Sequence, residues 1–321
     1  MKKRLIAIAS ALILFFGFIA FWLYGPIPFF RDLWVTSAMT TYSRHWLATM
    51  FYSQETIDRI MADNSLIEPG GQTDPALITI PASVSNEIEL IHIRRPAFRA
   101  TLLIVHNPAM VRLALPPGDR DDGVYQDGAK LRTIVDAENA LAGINGSGFF
   151  DEDGRASGGT VLGLVMQNGV MLNDFAHPEA AHIIGICHDN ILRLGYHTPQ
   201  ELTEANIRDA VEFYPYLIVN GVESEIRGNG GWGLAPRTAI GQRADGAFLL
   251  LVADGRQVTS IGASMRDLQE IMREHGAVNA ANLDGGSSSI MMYRGHTVSI
   301  PSATTDGRFL PNAFVVVEPS P

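Results

Sequence analysis

The hydrophobic pattern begins with one long apolar run at the N-terminus. Lys2, Lys3 and Arg4 precede twenty uncharged, mainly apolar residues, 5–24. A helix of that length matches the thickness of a bilayer core, and the basic flank favours a cytoplasmic N-terminus with the remaining chain exported to the periplasm or cell exterior. A cleavable signal peptide is the alternative, but the run is long and no A-x-A-like site follows it. We therefore expect residues 1–24 to be an uncleaved, single-pass transmembrane signal anchor.

The next stretch, residues 25–70, has a helical pattern and ends in a linker. Asp32 is placed to cap one helix and Ser53 is placed to cap a second helix with its apolar residues on one face. A Pro-Gly-Gly segment then interrupts the pattern. We predict a membrane-proximal helical segment and linker over residues 25–70, followed by a catalytic domain over residues 71–321.

Beyond the linker the pattern changes to short β-branched runs. Several runs form pairs joined by tight turns, and the strongest such signal is the hairpin around Asn168-Gly169. Few helices interrupt them: one over residues 133–141, one capped by Thr198 that we expect to reach about Glu212, and one capped by Ser264. Because strands dominate and come as hairpins, we predict an α+β fold with a mixed, mainly antiparallel sheet and a few packed helices.

Composition narrows the classes of partner and cofactor. The formal net charge of −10 argues against a nucleic-acid partner. The single cysteine, Cys187, excludes an intrachain disulfide framework and a thiolate metal site. No cofactor or metal is expected, although acidic groups on glycine loops leave calcium open. The spacings of four histidines fit no common ligand pair: His177, His182, His188 and His197.

Candidate chemistry lies in four segments where a strand end is followed by polar residues beside glycine. They are residues 144–151, 219–221, 253–256 and 282–289. Each alone is typical of an ordinary turn, but together they place acids and arginines beside backbone N–H groups of the kind that bind anions. The last segment is the strongest candidate, because one acid at a strand end precedes two glycines and three serines.

These segments resemble the motifs of the phosphodiester glycosidase family, in the same order along the chain. The resemblance covers roughly residues 79–317. The matching segments, each with the family's motif in parentheses, are 145–159 (Asn-Gly-x-Phe-Phe), 237–241 (Arg-Thr-Ala-Ile-Gly), 254–256 (Asp-Gly-Arg), 282–288 (Asn-Leu-Asp-Gly-Gly-Gly-Ser-Ser) and 308–314 (Arg-x-x-x-Asn-Ala). There are two departures, Ser287 for the middle glycine and Ser147 between two glycines, and both bear on substrate choice more than on fold.

The resemblance implies that a sugar of the N-acetylglucosamine type is removed from a sugar-1-phosphodiester. The phosphate needs hydrogen-bond donors, and the candidates are Arg237, Arg256 and the amides of Gly285, Gly286 and Ser287. The anomeric carbon develops positive charge and needs a carboxylate as nucleophile or base. Asp284 is the first candidate for that carboxylate and Asp254 is the second.

The remaining candidates are expected to bind the substrate. Asp151 and Asn145 are placed to hold sugar hydroxyls, while Phe149 and Phe150 either form an apolar wall or belong to the core. The predicted substrate-binding set is completed by Asn220, Ser288 and Arg308.

Two other functions fit the same sequence. A non-catalytic glycan-binding or exopolysaccharide-assembly protein can have the same fold, because fold does not fix function. A metal-dependent phosphodiesterase would cut the other side of the phosphate, but the chain has too few clustered histidines to favour it.

Overall fold

The computed structural model describes residues 2–41, 44–118, 127–151, 157–172 and 180–319. The chain divides into two compact units. The first comprises Met1–Ser65 with Ile226–Gly233, and the second comprises Leu66–Glu225 with Leu234–Pro321. The assignment of residues 71–321 to a catalytic domain stays a prediction.

The helices of the described residues are α1 (Lys2–Tyr24), α2 (Pro28–Met39), α3 (Trp46–Thr49), α4 (Gln54–Asp63), α5 (Leu131–Ala137), α6 (Pro199–Glu204) and α7 (Met265–Glu274). The strands are β1 (Leu66–Ile67), β2 (Ile88–Arg94), β3 (Arg99–Val105), β4 (Val111–Ala114), β5 (Ala129–Lys130), β6 (Ala142–Asn145), β7 (Val165–Gln167), β8 (Val170–Met171), β9 (Ala181–Cys187), β10 (Leu192–His197), β11 (Ile207–Glu212), β12 (Tyr216–Val219), β13 (Val222–Glu223), β14 (Glu225–Ile226), β15 (Arg237–Arg243), β16 (Phe248–Ala253), β17 (Ala277–Leu283), β18 (Met291–Tyr293), β19 (His296–Thr297), β20 (Phe309–Leu310) and β21 (Ala313–Val316).

The first unit is helical. Its helix α1 is long and apolar enough to cross a membrane. Helix α4 begins where its capping signal predicts, because the Ser53 side chain accepts a hydrogen bond from the Thr56 N–H. Helix α2 starts earlier than expected, at Pro28, since proline is well suited to the first helical position; Asp32 therefore lies inside the helix and pairs with Arg31.

The second unit is built from antiparallel sheets. A seven-stranded sheet has the order β13-β12-β17-β15-β16-β3-β2, and two five-stranded sheets have the orders β10-β9-β11-β7-β8 and β19-β18-β6-β21-β4. Neighbouring strands in all three sheets pair antiparallel. With helices packed between the hairpins, the prediction of an α+β, mainly antiparallel fold is confirmed.

One predicted helix is much shorter than expected. Thr198 and Glu201 form the predicted capping box, but α6 ends at Glu204 rather than near Glu212. Asn206 takes a left-handed conformation with φ of 57°, which ends the helix. The following residues form β11, which pairs with both β9 and β7. Pairing on two sides buries this strand, and that tertiary gain outweighs the local helical pattern.

Tyr216 joins the seven-stranded sheet to a five-stranded sheet. Its side chain is fully buried on β12. The hydroxyl lies 2.7 Å from the carbonyl oxygen of Gly195 and 3.1 Å from that of Ile183, and it accepts a hydrogen bond from the Gly195 N–H at 3.1 Å. One phenol therefore pairs backbone groups of β9 and β10 within the shared apolar core.

The strand ends bring distant segments to one place. Strand β17 lies inside the seven-stranded sheet, between β12 and β15. Thr238 pairs with Leu283, so the start of β15 lies beside the end of β17. Strand β6, from a different sheet, ends at Asn145, whose side chain contacts the same place.

We predict that Tyr216→Phe lowers the free energy of unfolding by about 1–3 kcal/mol, because it leaves buried backbone groups without a partner. Urea denaturation followed by near-ultraviolet circular dichroism measures the change. The control is Tyr293→Phe, whose hydroxyl makes only a 3.4 Å hydrogen bond and is partly buried. Equal stability of the two variants would contradict a linking role for the Tyr216 hydroxyl.

Candidate active site

The site is centred on the loop that follows β17. Asp284 donates its N–H to the carbonyl oxygen of Gly146 at 3.1 Å. One of its carboxylate oxygens accepts the Gly285 N–H at 2.9 Å. Gly286 has a φ of 61° and donates its N–H to the Pro236 oxygen at 2.8 Å. The loop is therefore tied to the segment that follows β6 and to the segment before β15.

Asn145 fixes the position of that loop through hydrogen bonds of its side chain. Its side chain is fully buried and donates to the Asp284 carbonyl oxygen at 2.7 Å. Its amide oxygen accepts from the Thr238 hydroxyl at 2.8 Å and from the Ile290 N–H at 3.2 Å. Because the amide is occupied by protein groups, the geometry favours a positioning role over direct contact with a sugar.

Asn312 supports the adjacent turn. Its carbonyl oxygen accepts the Gly146 N–H at 3.2 Å and its side-chain oxygen accepts the Ser147 N–H at 2.9 Å. Its amide nitrogen donates to the Ser147 hydroxyl at 2.7 Å. A Cβ atom on Gly146 would lie 2.1 Å from the Asn312 side-chain oxygen, so glycine is required by close approach.

Two arginines lie against the glycines of the loop. Arg237 is buried and donates to the Ala263 oxygen at 3.4 Å, whereas Arg256 is exposed. Arg237 Nη1 lies 3.6 Å from the position that a Cβ on Gly285 would take. Arg256 Nη2 lies 3.2 Å from the same position on Gly286. The two glycines leave space in which both guanidinium groups approach the loop backbone.

The charges of the site influence one another. Burial, and to a smaller extent the Arg256 charge, lower the pKa of Arg237 to about 10, while the Asp284 charge opposes the shift. Burial likewise raises the pKa of Asp284 to about 6, against the hydrogen bonds from Ser288 and Gly285. Asp284 nevertheless keeps partial solvent access. A carboxylate that is surrounded by protein and still accessible is suited to contact a ligand in a cleft.

An ion pair lies close enough to affect the same carboxylate. Arg308 Nη1 lies 2.6 Å from a carboxylate oxygen of Asp151. The Arg308 charge lowers the pKa of Asp284 and the Asp151 charge raises it. Arg308 also covers the ring of Phe149 at 4.7 Å, and this ring is buried, whereas Phe150 is 40% exposed. Of the two phenylalanines, Phe150 is the one that presents an accessible surface.

Two predicted site residues do not join this group. Asp254 is buried, and its carboxylate accepts the Ile300 N–H at 2.8 Å. Burial raises the pKa of Asp254, while the charges of Arg99 and His92 lower it. The charges that act on Asp254 therefore differ from those around Asp284. Asn220 instead contacts Asp74 and Gln72.

The register of the sheet explains the position of Asn220. The neighbouring Gly221 donates its N–H to the Val278 oxygen, near the start of β17. Asp284 follows the other end of that strand. At about 3.4 Å per residue the two places are roughly 20 Å apart. Asn220 therefore lies in a turn whose local sequence resembles the site motifs, but this turn is at the opposite end of β17 from Asp284.

Three positioning residues were missing from the predicted set: Thr238, Asn312 and Pro236. Thr238 and Asn312 are polar residues within or beside apolar strands, which is the signal that would have identified them. Pro236 contributes only a carbonyl oxygen, which every residue has. The predicted phosphate donors also change, because the Gly285 and Gly286 amides already donate within the protein.

Within the described ranges no group of three or more His, Cys, Asp or Glu side chains is arranged to hold a metal ion. His177 lies outside the described residues. His182 contacts Glu68 and three tyrosines. The absence of a metal and of a cofactor stays an expectation.

Comparison with known proteins decides the family. The family model described as phosphodiester glycosidase matches residues 138–317, more than half of the chain. The chain belongs to the phosphodiester glycosidase family. The site residues from Asn145 to Arg308 all lie inside the matched region of the chain, which includes the Asp284 loop and both arginines.

Two curated relatives and one solved structure are similar to this chain. The Bacillus subtilis SPbeta prophage-derived uncharacterized protein YomE is 26% identical over 202 residues, covering 55% of this chain and 30% of that protein. The mouse N-acetylglucosamine-1-phosphodiester alpha-N-acetylglucosaminidase is 28% identical over 232 residues, covering 66% and 43%. The chain thus spans less than half the length of either relative.

The solved structure supports the fold. The zebrafish N-acetylglucosamine-1-phosphodiester alpha-N-acetylglucosaminidase catalytic domain, auto-inhibited by its pro-peptide, superposes with a TM-score of 0.60 at 18% identity. The match covers 77% of this chain and 88% of the zebrafish domain. The shared architecture is therefore the fold of the phosphodiester glycosidase domain.

We predict that Gly146→Ala disrupts the site, because the added methyl group collides with the Asn312 side chain. The expected loss is about 1–3 kcal/mol in the free energy of unfolding, measured by urea denaturation. Gly70→Ala is the matched control, since its added methyl group meets no atom within 4 Å. A Gly146→Ala protein as stable as the Gly70→Ala protein would contradict the close approach.

Proposed function

We propose that this protein is a hydrolase that removes an N-acetylglucosamine-type sugar from a sugar-1-phosphodiester. The observation that carries the proposal is the arrangement around the Asp284 loop. Two guanidinium groups, of Arg237 and Arg256, approach the glycines of the loop, while the Arg308–Asp151 pair acts on the same carboxylate. A cationic surface and a carboxylate therefore border one loop.

The arginines are the groups that bind the phosphate. A phosphodiester carries one negative charge, and a guanidinium group donates paired hydrogen bonds to phosphate oxygens. Arg237 is held in place by burial, and Arg256 is exposed, so that its guanidinium is accessible to a ligand. The Ser287 amide is the remaining candidate among the predicted loop donors. These contacts stabilise the negative charge of the departing phosphate.

Asp284 acts on the anomeric carbon. The bond between that carbon and the phosphate oxygen breaks, its electron pair stays on the phosphate, and a phosphomonoester departs. The carboxylate either attacks the carbon as a nucleophile or takes a proton from the attacking water. Water supplies the new hydroxyl group of the sugar in both cases. Because a phosphate leaves readily, no strong acid is needed to protonate it.

The sugar lies on the side of Asp151 and Phe150. Asp151 is held by Arg308 with its carboxylate partly accessible, so it is placed to accept hydrogen bonds from hydroxyls. Phe150 supplies an apolar surface. Ser288 donates to Asp284 and orients it. Asn145 and Asn312 act through the loop backbone, and Asp254 and Asn220 take no direct part.

The membrane arrangement is part of the proposal. Helix α1 anchors the chain once, with Lys2, Lys3 and Arg4 on the cytoplasmic side. The body then lies on the exported side, where its substrate is a cell-surface glycan or exopolysaccharide joined through phosphate. The negative body is not attracted to anionic lipid, so the anchor is what keeps it at the membrane.

The test uses the full chain in detergent micelles with methyl-phosphate diesters of N-acetylglucosamine, and it measures released reducing sugar. We expect turnover, and we expect Asp284→Asn to lower kcat/KM by at least about 1000-fold. Asp136→Asn is the control, because Asp136 is an exposed acid on α5. No turnover of either anomer, or full activity of Asp284→Asn, would refute the proposal. Glycan binding without turnover would favour the non-catalytic alternative.

The pH dependence follows from the charge that Asp284 must carry. Only the ionised carboxylate can act as nucleophile or base, and its pKa is raised to about 6. We therefore expect kcat/KM to rise with pH to a plateau, with a midpoint near 6 rather than near the ordinary carboxyl value of about 4. A profile that is flat from pH 4.5 to 8 contradicts the assignment of Asp284.

A further inference from the structure

A group of partly exposed aromatic rings lies next to the candidate active site. We call it the aromatic strip and define it as His182, Tyr196, Phe213 and Tyr214. Tyr196 and Tyr214 are 50% and 52% exposed. The His182 ring lies 4.1 Å from the Tyr196 ring and 5.5 Å from the Tyr214 ring, and Phe213 stacks on Tyr214 at 5.9 Å. The rings pack together and still face solvent.

Polar contacts fix the orientation of these rings. The Tyr196 hydroxyl lies 2.5 Å from Nε2 of His182, and the same nitrogen lies 3.1 Å from a carboxylate oxygen of Glu68. The other Glu68 oxygen accepts the Tyr216 N–H at 2.9 Å. A surface whose side chains are already fixed loses little conformational entropy when a ligand binds.

Sheet order places Tyr214 of the aromatic strip and Arg237 on opposite sides of β17, the strand that ends just before Asp284. Asn282, near the end of β17, donates its side-chain amide to the Tyr214 oxygen and its N–H to the Pro215 oxygen, both at 3.0 Å. Tyr214 therefore lies on the β12 side of β17. Arg237 begins β15, on the other side of β17. Because neighbouring strands lie about 4.8 Å apart, Tyr214 and Arg237 are both close to the Asp284 loop.

Apolar side chains lie between the aromatic strip and the loop after β6. Phe213 Cε2 lies 3.2 Å, and Leu162 Cδ1 3.7 Å, from the position that a Cβ on Gly148 would take. Leu162 donates its N–H to the Gly148 oxygen at 3.0 Å and is 42% exposed. Phe150, two residues after Gly148, is 40% exposed. The surface proposed to hold the sugar therefore extends towards Tyr214.

We propose that the aromatic strip binds a second sugar, linked to the non-reducing side of the sugar that is released from phosphate. The inference rests on the proposed function. The phosphate and its aglycone lie towards Arg237 and Arg256, so only the rest of the glycan can extend the other way. Sugar rings present C–H faces to aromatic rings, while tyrosine hydroxyls and carboxylates pair with sugar hydroxyls. The substrate class is thus an oligosaccharide-1-phosphodiester.

The test compares two substrates of the full chain in detergent micelles. They are the methyl-phosphate diesters of N-acetylglucosamine and of N,N′-diacetylchitobiose. We expect kcat/KM to be at least about tenfold higher for the disaccharide, which corresponds to about 1.4 kcal/mol. Tyr196→Ala and Tyr214→Ala are each expected to bring this ratio close to one, with the loss confined to the disaccharide. The control Tyr214→Phe keeps the ring and is expected to keep the ratio.

Equal kcat/KM values for the two substrates, or a ratio that Tyr196→Ala and Tyr214→Ala both leave unchanged, would overturn the second-sugar subsite while leaving the proposed function intact. If neither diester is hydrolysed, the proposed function fails and the subsite is judged by binding. Saturation-transfer NMR with free N,N′-diacetylchitobiose then decides. Transfer that disappears in Tyr196→Ala supports the subsite, and absence of transfer to the parent protein overturns it.

Discussion

The buried amide of Asn145 is the contact on which the rest of the site depends. It joins the end of β6 to the Asp284 loop, to Thr238 on β15 and to Ile290 after the loop. The Thr238 and Ile290 partners are buried polar groups, and leaving one unpaired costs about 1–3 kcal/mol. The hydrogen bonds therefore hold strand ends from two different sheets in one arrangement. Asp284 occupies its position because this arrangement fixes the backbone on both sides of it.

The backbone of the loop is well hydrogen-bonded, but the charged side chains around it are in an electrostatically unfavourable environment. Burial makes the charged forms of both Arg237 and Asp284 less favourable, and Arg256 adds repulsion to Arg237. Asp284 offsets part of that cost. An anionic phosphate beside the two arginines would offset more of the cost of burying the Arg237 charge, because it attracts both guanidinium groups. The same attraction would stabilise a bound phosphodiester and its departing phosphate.

Local sequence rules predicted much of the fold and the general place of the site. The capping signals of Ser53, Thr198 and Ser264 all start helices, because a cap depends on a few adjacent residues. The end of α6 was wrong, since β11 owes its conformation to pairing with distant strands.

The individual roles within the site were harder to predict than its place. Asn145 is a residue type that often binds ligands, but its side chain contacts only protein groups. Asn220 lies in an Asn-Gly turn like that of the site, but the sheet register places this turn elsewhere. The aromatic strip combines rings from three separate segments, so only tertiary structure reveals it. The structure of the Asp284→Asn protein with unhydrolysed N-acetylglucosamine-1-(methyl phosphate) tests these roles most directly. We expect the anomeric carbon within about 3.5 Å of the residue 284 side chain, with phosphate oxygens accepting hydrogen bonds from Arg237 and Arg256. Phosphate bound away from both arginines, or a residue 284 side chain directed away from the sugar, would contradict the roles of Asp284 and the two arginines.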